Sequence, residues 1–381
     1  MQIARIETFL VPPRWLFVRI ETDDGIIGWG EPVVEGNADT VRTAVEQLGE
    51  RLIGNDPLRI QDHWQIMTKG GFYRGGPILS SAVAGLDQAL WDIMGKTVGL
   101  PVHVLLGGPV RDRIRMYGWI GGDEPSEVAD AIAKRMDEGL TAVKMNATGR
   151  FDRIANNRDI DAIVNRVAAA REVLGDTGDV GVDFHGRVTL PNAKRILPEL
   201  EPLRPMFVEE PTTPENSHLL HHLTDKTSIP IATGERLFNR NEFLPVFEAG
   251  ISIAQPDLSH AGGISEVHRI AGLAEIFDVQ LAPHCPLGPI SLAACLQIGF
   301  AVPNYFIQEQ SIGIHYNEGG EVLDYVADTS VFDFKSGYIE RLTGPGLGIE
   351  VDEAAVRSAA TRGHTWRSPV WRLADGSHAE W

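Results

Sequence analysis

At 381 residues, the chain exceeds one average domain and suits a barrel of roughly 250 residues with a smaller companion. With 43% hydrophobic and 23% charged residues, the composition excludes disorder and allows a large buried core. A formal net charge of −18, from 52 acidic against 34 basic side chains, repels a phosphate backbone, excludes nucleic acid as a partner, and obliges an anionic substrate to find a local cation such as a metal.

The opening MQIARIETFLVPPRW lacks the basic region and long apolar run of a signal peptide, and no stretch reaches membrane-spanning length. A cytoplasmic location without a membrane partner is expected. Next in order, IARIETFL, WLFVRIET and IIGWGEPVV predict three strands, the latter two joined at Asp24-Gly25. Helices follow from about Thr40, and Val83, Leu86, Leu90, Ile93 and Met94 mark the third of them, stopped by Gly99 and Pro101. Residues 1–112 are expected to form an α+β capping domain.

After Gly107-Gly108 short apolar runs alternate with amphipathic stretches, the pattern of parallel strands with crossover helices. The runs are RMYGWI, TAVKMN, VGVDFH, MFVEE, IPIATGE, ISIAQPD, VQLAPH and YFIQEQ. Between the second and third, Ile160, Ile163, Val164, Val167 and Leu174 form one helical face, closed by Gly175. A doubly wound open sheet shares this local pattern. Nearly every run ends in polar side chains, however, and a β/α barrel brings those ends to one mouth. The barrel is expected over 113–315, and the segment 316–381, with Trp366, Trp371 and Trp381, is expected to pack back on the cap. Cys285 and Cys295 lie ten residues apart in an apolar segment and make no disulfide framework, which fits a reducing compartment.

Asp183, Glu209 and Glu235 end the third, fourth and fifth runs at intervals of 26 residues. Acids at strand ends also cap helices. Three in register would repel one another severely unless a cation sat between them, and all-oxygen ligation selects Mg²⁺, with Mn²⁺ as the alternative. Asp257 and His284 end the next two runs, and a carboxylate on one imidazole nitrogen fixes the tautomer and raises the basicity of the other, making a general base. His185, two residues past Asp183, points to the same side; it is a fourth ligand or, the preferred reading, an acid beside the metal. Glu309 ends the eighth run.

The ordered motifs Lys144-Met145-Asn146, Asp183-Phe184-His185, Glu209-Glu210-Pro211, Gly234-Glu235-Arg236, Gln255-Pro256-Asp257, Pro283-His284-Cys285 and Gln308-Glu309-Gln310 resemble the mandelate racemase subgroup of the enolase superfamily, essentially end to end. The resemblance implies a modified TIM-type (β/α)7β barrel with an N-terminal α+β capping domain. It implies Mg²⁺ on Asp183, Glu209 and Glu235, the Asp257-His284 dyad as base, His185 as general acid, and a protonated Glu309 donating to the substrate carboxylate. Many relatives carry a second lysine where this chain has Asn146, which removes a second base and points to dehydration rather than racemisation. Lys144 and Asn146 are then expected to bind substrate. The expected substrate is a small sugar acid, D-galactonate, with another aldonate such as gluconate as the alternative, and a homo-oligomer is expected. A Schiff-base aldolase with Lys144 as nucleophile is a rival class; its mark would be a desolvated lysine without a carboxylate triad, and this sequence has the triad.

Other signals read as structural. Cys285 beside His284 points to the opposite strand face and reads as packing; His218, His221 and His222 read as a solvated helix face; Gly262-Gly263 reads as a tight turn. The stretches Ala147–Asn157, Pro12–Trp15 and Phe72–Gly76 are expected to close the mouth, with Arg14, Tyr73 and Arg74 as candidate contacts for distal hydroxyls.

Overall fold

The computed structural model describes residues 1–122 and 124–381. Alternating apolar and polar residues in the first segment form the antiparallel strands Ile3–Val11, Trp15–Thr22 and Ile27–Gly30. The third strand is shorter than the apolar run predicts. Glu31 N–H leaves the ladder for the Gln88 side chain at 2.8 Å, and Pro32 has no N–H to offer. Helices Ala38–Gly49 and Pro77–Val98 cover this sheet, and helix Ile60–Lys69 packs against Pro77–Val98. Helix Pro77–Val98 buries Leu86, Leu90 and Ile93 as the periodicity predicts, and buries Asp87, Gln88 and Asp92 as well. These polar side chains meet backbone partners elsewhere in the molecule: Asp92 accepts from Trp29 N–H at 3.0 Å and Leu347 N–H at 2.9 Å, Asp87 accepts from Ser265 N–H, and Gln88 donates to Leu258 O.

Eight parallel strands follow: Arg113–Ile120, Ala142–Asn146, Asp179–Asp183, Phe207–Glu209, Ile231–Thr233, Ile253–Ala254, Gln280–Leu281 and Gln308–Gln310. Each pairs with its sequence neighbour up to the seventh, and the eighth pairs with the first. A parallel bridge between Leu281 and Tyr305 joins the seventh to the approach of the eighth, with Leu281 N–H on Asn304 O at 2.7 Å and Phe306 N–H on Leu281 O at 2.8 Å. The ring is closed, with helical crossovers between consecutive strands, so the architecture is the modified (β/α)7β barrel with an antiparallel sheet and helices as cap.

The barrel interior is plugged by a separate apolar cluster of Tyr117, Ala142, Phe207, Ala232, Ile253, Ala282 and Ile307. Large and small residues alternate in it. A Cβ on Gly181 would meet the Phe207 ring at 2.7 Å, so glycine on the third strand makes room for that phenyl ring. This plug fills the barrel below the polar side chains of the strand ends, as side-chain layers do in such barrels.

From Tyr316 onward the chain touches both cap and barrel. Tyr325 Oη donates to Pro12 O at 2.7 Å and a His364 ring nitrogen meets Trp15 O at 3.1 Å. Strand Tyr338–Glu340 pairs antiparallel with the first barrel strand, and the Trp371 ring lies 4.8 Å from the guanidinium of Arg187. Among the described residues no helix is long and apolar enough to cross a membrane.

Candidate active site

Parallel pairing in register carries Asp183 beside Glu209, and both side chains are fully buried. Glu235, two residues past the fifth strand, is 12% exposed. One oxygen of each lies within 4.8 Å of the others. Asp183 Oδ1 accepts from His185 N–H at 2.7 Å, whereas Asp183 Oδ2 and Glu235 Oε2 are buried without a hydrogen-bond partner among the described residues. Burial, reinforced by Asp183, pushes Glu209 well above the carboxylate range; burial likewise pushes Glu235 up to about 7, against the pull of His284 and Arg236. Three crowded carboxylates with orphaned oxygens are under-neutralised, and an all-oxygen set of this spacing fits a hard divalent cation.

Lys144 is the cation the chain itself supplies. Its Nζ lies 2.6 Å from Glu209 Oε1, 2.9 Å from Glu309 Oε1 and 3.5 Å from Asp183 Oδ2, fully buried. It also lies 4.5 Å from the Trp119 ring centroid. Gln255 Nε2 holds the other oxygen of Glu209 at 2.7 Å. Lys144 is thus packed among the carboxylates. Asn146, two residues on and paired in register with Asp183, keeps a buried Oδ1 without a partner among the described residues.

Glu309 is surrounded by donors from the protein itself. Its Oε1 accepts from Trp119 Nε1 and Lys144, and its Oε2 accepts from Cys285 N–H at 2.7 Å. Every neighbour donates, so both oxygens act here as acceptors.

His284 Nδ1 bonds Asp257 Oδ2 at 2.7 Å, and its Nε2 stands 3.4 Å from Glu235 Oε2. Burial opposes charge on this imidazole, but Glu235, Glu309 and Asp257 outweigh it and hold its pKa well above the ordinary value. His185 follows the third strand and His284 the seventh, and those strands stand opposite one another in a ring of eight. Burial draws His185 down to about 4 against the attraction of Asp183, and its Nδ1 has no partner among the described residues. Its backbone sits at φ 52°, in the left-handed region, which a tight turn after the strand requires.

The structure therefore gathers Lys144, Asp183, His185, Glu209, Glu235, Asp257, His284 and Glu309 at one mouth. It does not bring the three suggested hydroxyl contacts there as free groups. Arg14 is 1% exposed and is taken up by Glu35, Asn317 Oδ1 at 2.8 Å and Pro286 O at 2.6 Å. Tyr73 is 87% exposed, and Arg74 is exposed with its guanidinium on Gly71 O at 3.1 Å. Sequence reading missed Trp119, Gln255 and His260. Gln255 had a signal, since it precedes Asp257 by two and so shares its side of the chain. His260, whose Nδ1 lies 3.7 Å from Asp257 Oδ2, follows a loop without periodicity. Cys285 is buried with its Sγ 3.7 Å from Ser291 Oγ, His218, His221 and His222 are exposed, and the turn at Gly262-Gly263 leads into a helix whose first turn is filled by Asp87, which accepts from Ser265 N–H at 2.9 Å.

Family models agree with this architecture: residues 9–107 match the N-terminal domain of mandelate racemase and muconate lactonizing enzyme, and residues 127–355 match the enolase C-terminal domain-like family. The chain is 54% identical to D-galactonate dehydratase of Klebsiella pneumoniae (strain 342), covering all of both chains. Among solved structures it resembles an enolase from Agrobacterium radiobacter, provisionally assigned as a galactarate dehydratase and bound to sodium and L-malate, with TM-score 0.91, 33% identity and full coverage of both chains. It also resembles a provisionally assigned dehydratase from Mesorhizobium loti, with TM-score 0.88 and 30% identity over 94% of this chain and 98% of that one. The chain belongs to the enolase superfamily, in its mandelate racemase and muconate lactonizing enzyme subgroup.

Proposed function

We propose that this enzyme is a carbon–oxygen lyase that dehydrates a sugar acid, converting D-galactonate into 2-dehydro-3-deoxy-D-galactonate. The observation that carries the reading is the pair of opposed histidines across the carboxylate triad, His284 backed by Asp257 on one side and His185 on the other, with Asn146 where a second lysine base would stand. One base and one acid suffice to remove a proton and a hydroxyl; racemisation needs a base on each face. The 54% identity to a galactonate dehydratase supports the same reading.

In this reading Asp183, Glu209 and Glu235 hold Mg²⁺, with Mn²⁺ as a substitute. When bound, the metal supplies positive charge against the substrate carboxylate and the negative charge that grows there. Glu235, Glu309 and Asp257 hold a proton on His284, and a cation that took up the charge of Glu235 would favour its release; His284 Nε2 then takes the α-proton while Asp257 holds Nδ1 and stabilises the imidazolium. The electrons move to the carboxylate as an enediolate, toward the ammonium of Lys144, which Glu309 and Glu209 keep in place. His185 then gives a proton to the 3-hydroxyl, which leaves as water, and the enol becomes the 2-keto acid. His185 must first acquire that proton, and an anionic substrate arriving beside it favours the uptake. Residues 113–315 carry the chemistry, 1–112 cap the mouth and 316–381 pack back on the cap. A homo-oligomer in the cytoplasm belongs to the same reading.

Gluconate differs from galactonate at one distal carbon, away from the reacting end, so a gluconate dehydratase is the alternative. A panel of hexonates and pentonates with Mg²⁺, assayed for the 2-keto-3-deoxy product, decides between them. Product from D-galactonate with the highest kcat/KM is the expected result. No product from galactonate beside efficient turnover of another acid would overturn the substrate assignment.

A further inference from the structure

Two cap side chains reach the two loops that carry the dyad. Glu31 follows directly on strand Ile27–Gly30, yet its carboxylate binds the barrel: Oε1 accepts from Gly288 N–H at 2.6 Å and Oε2 from Ser291 N–H at 2.9 Å. Those amides open helix Pro289–Ala301, so Glu31 fills its N-terminus and fixes the far end of the loop that begins at His284. The second cap side chain, Gln88, receives Glu31 N–H on its Oε1 at 2.8 Å and donates its Nε2 to Leu258 O at 2.8 Å, immediately after Asp257.

The two loops are also tied to one another. Ser259 Oγ bonds Ser291 Oγ at 3.0 Å, and Ser259 N–H donates to Asp257 Oδ1 at 2.6 Å, which leaves Oδ2 for His284 Nδ1 at 2.7 Å. Glu31, Gln88, Asp257, Ser259 and Ser291 are all completely buried. A closed circuit of hydrogen bonds thus runs from Glu31 through Ser291, Ser259 and Asp257 to His284, and back along the chain to Gly288. The Glu31 carboxylate sits close against Gly288, where an added Cβ would stand 2.7 Å from Oε1 and 2.9 Å from Oε2 and so displace it. Such a buried and satisfied polar circuit has few alternative arrangements.

We propose that Glu31 and Gln88 are positioning residues for the base: from the cap they set the separation of the Asp257 and His284 loops, and so the aim of His284 Nε2, with Ser259–Ser291 as the tie between the loops. The proposal rests on the reading of Asp257–His284 as the base dyad. Loss of aim should slow proton removal without weakening substrate binding, since all four residues are completely buried. If the circuit merely fastened cap to barrel, its loss would lower the unfolding temperature and leave turnover intact.

The test measures kcat, KM, the rate of α-proton exchange with deuterated solvent, and the thermal midpoint for Ser259→Ala, Ser291→Ala, Glu31→Gln and His284→Asn, with D-galactonate and Mg²⁺. Ser259→Ala and Ser291→Ala should each lower kcat and exchange by about fivefold, the worth of one hydrogen bond. KM should stay within about twofold in both, since no uniform binding contact is lost. Glu31→Gln replaces one acceptor by a donor facing an amide, and should lower both rates further in the same pattern. If that variant does not fold, the two serine variants, which remove one hydroxyl each, carry the test. Rates unchanged in the serine variants, with only the thermal midpoint lowered, would overturn the proposal while His284→Asn still lost exchange. Exchange retained in His284→Asn would instead sink the base reading itself.

Discussion

At the scale of single residues, the proposed base His284 and proposed acid His185 would act on different bonds of one substrate and so separate experimentally. His284→Asn should abolish dehydration and α-proton exchange together, because it removes the base. His185→Asn should block dehydration and retain exchange, since His284, Asp257 and the carboxylates remain. Proton-exchange NMR in deuterated solvent reads both; exchange lost in the His185 variant but kept in the His284 variant would show base and acid reversed. The metal site has its own check. Glu235→Gln removes one of three charges and leaves Lys144 with Asp183 and Glu209, so the protein should fold while Mg²⁺ binding by calorimetry weakens and turnover disappears. Activity like that of the unaltered enzyme in this variant would refute the assigned ligands.

At the scale of elements, two glycines behave oppositely for reasons of backbone and space. Gly234 links strand Ile231–Thr233 to Glu235 at φ 145°, and a Cβ there would meet Phe243 at 2.7 Å and Gln255 N at 2.9 Å. Gly234→Ala should therefore cost about 1–3 kcal/mol through strain and overpacking. It should also cut turnover, since Gln255 holds Glu209. Gly272 sits exposed inside helix Gly263–Ile276 with nothing within 4 Å of its would-be Cβ. Gly272→Ala should stabilise by about 1 kcal/mol, the helix-propensity difference, with activity unchanged. Urea unfolding with parallel rate assays checks both; equal effects of the two substitutions would contradict the packing described.

At the scale of the whole molecule, stability depends on the seam between cap and barrel, and one histidine makes that seam sensitive to acid. His103, on the short helix Val102–Leu105, bonds Gln297 Oε1 of helix Pro289–Ala301 through Nδ1 at 2.9 Å, with its ring 5.6 Å from Phe300. Burial lowers its pKa below the ordinary 6.5, against the raising effect of Gln297. A depressed pKa in the folded state means that the contribution is present above pH 6.5 and is lost as pH falls toward the folded value. The thermal midpoint should drop on acidification from about pH 7 to about pH 5, and less steeply in His103→Gln. Parallel slopes for the two proteins would exclude this contribution.

The alternation of strand and helix, the spacing of Asp183, Glu209 and Glu235, and the dyad of Asp257 and His284 are legible in the amino-acid order because each is a local pattern. A strand end recurs once per crossover, and the parity of residues along a strand tells which side chains share a face. Contacts across the ring carry no such mark. That Lys144 lies among the carboxylates, that Glu309 accepts from Trp119 and Cys285, and that Arg14 is sealed against Pro286 depend on which strand ends and loops closure brings together. The cap shows the same limit. Glu31 reads as the tail of a strand, but its partner amides belong to Gly288 and Ser291, more than 250 positions away. Periodicity determines which side of an element a residue occupies; only tertiary packing determines what stands opposite, because a buried polar group takes whatever partner the closed fold presents.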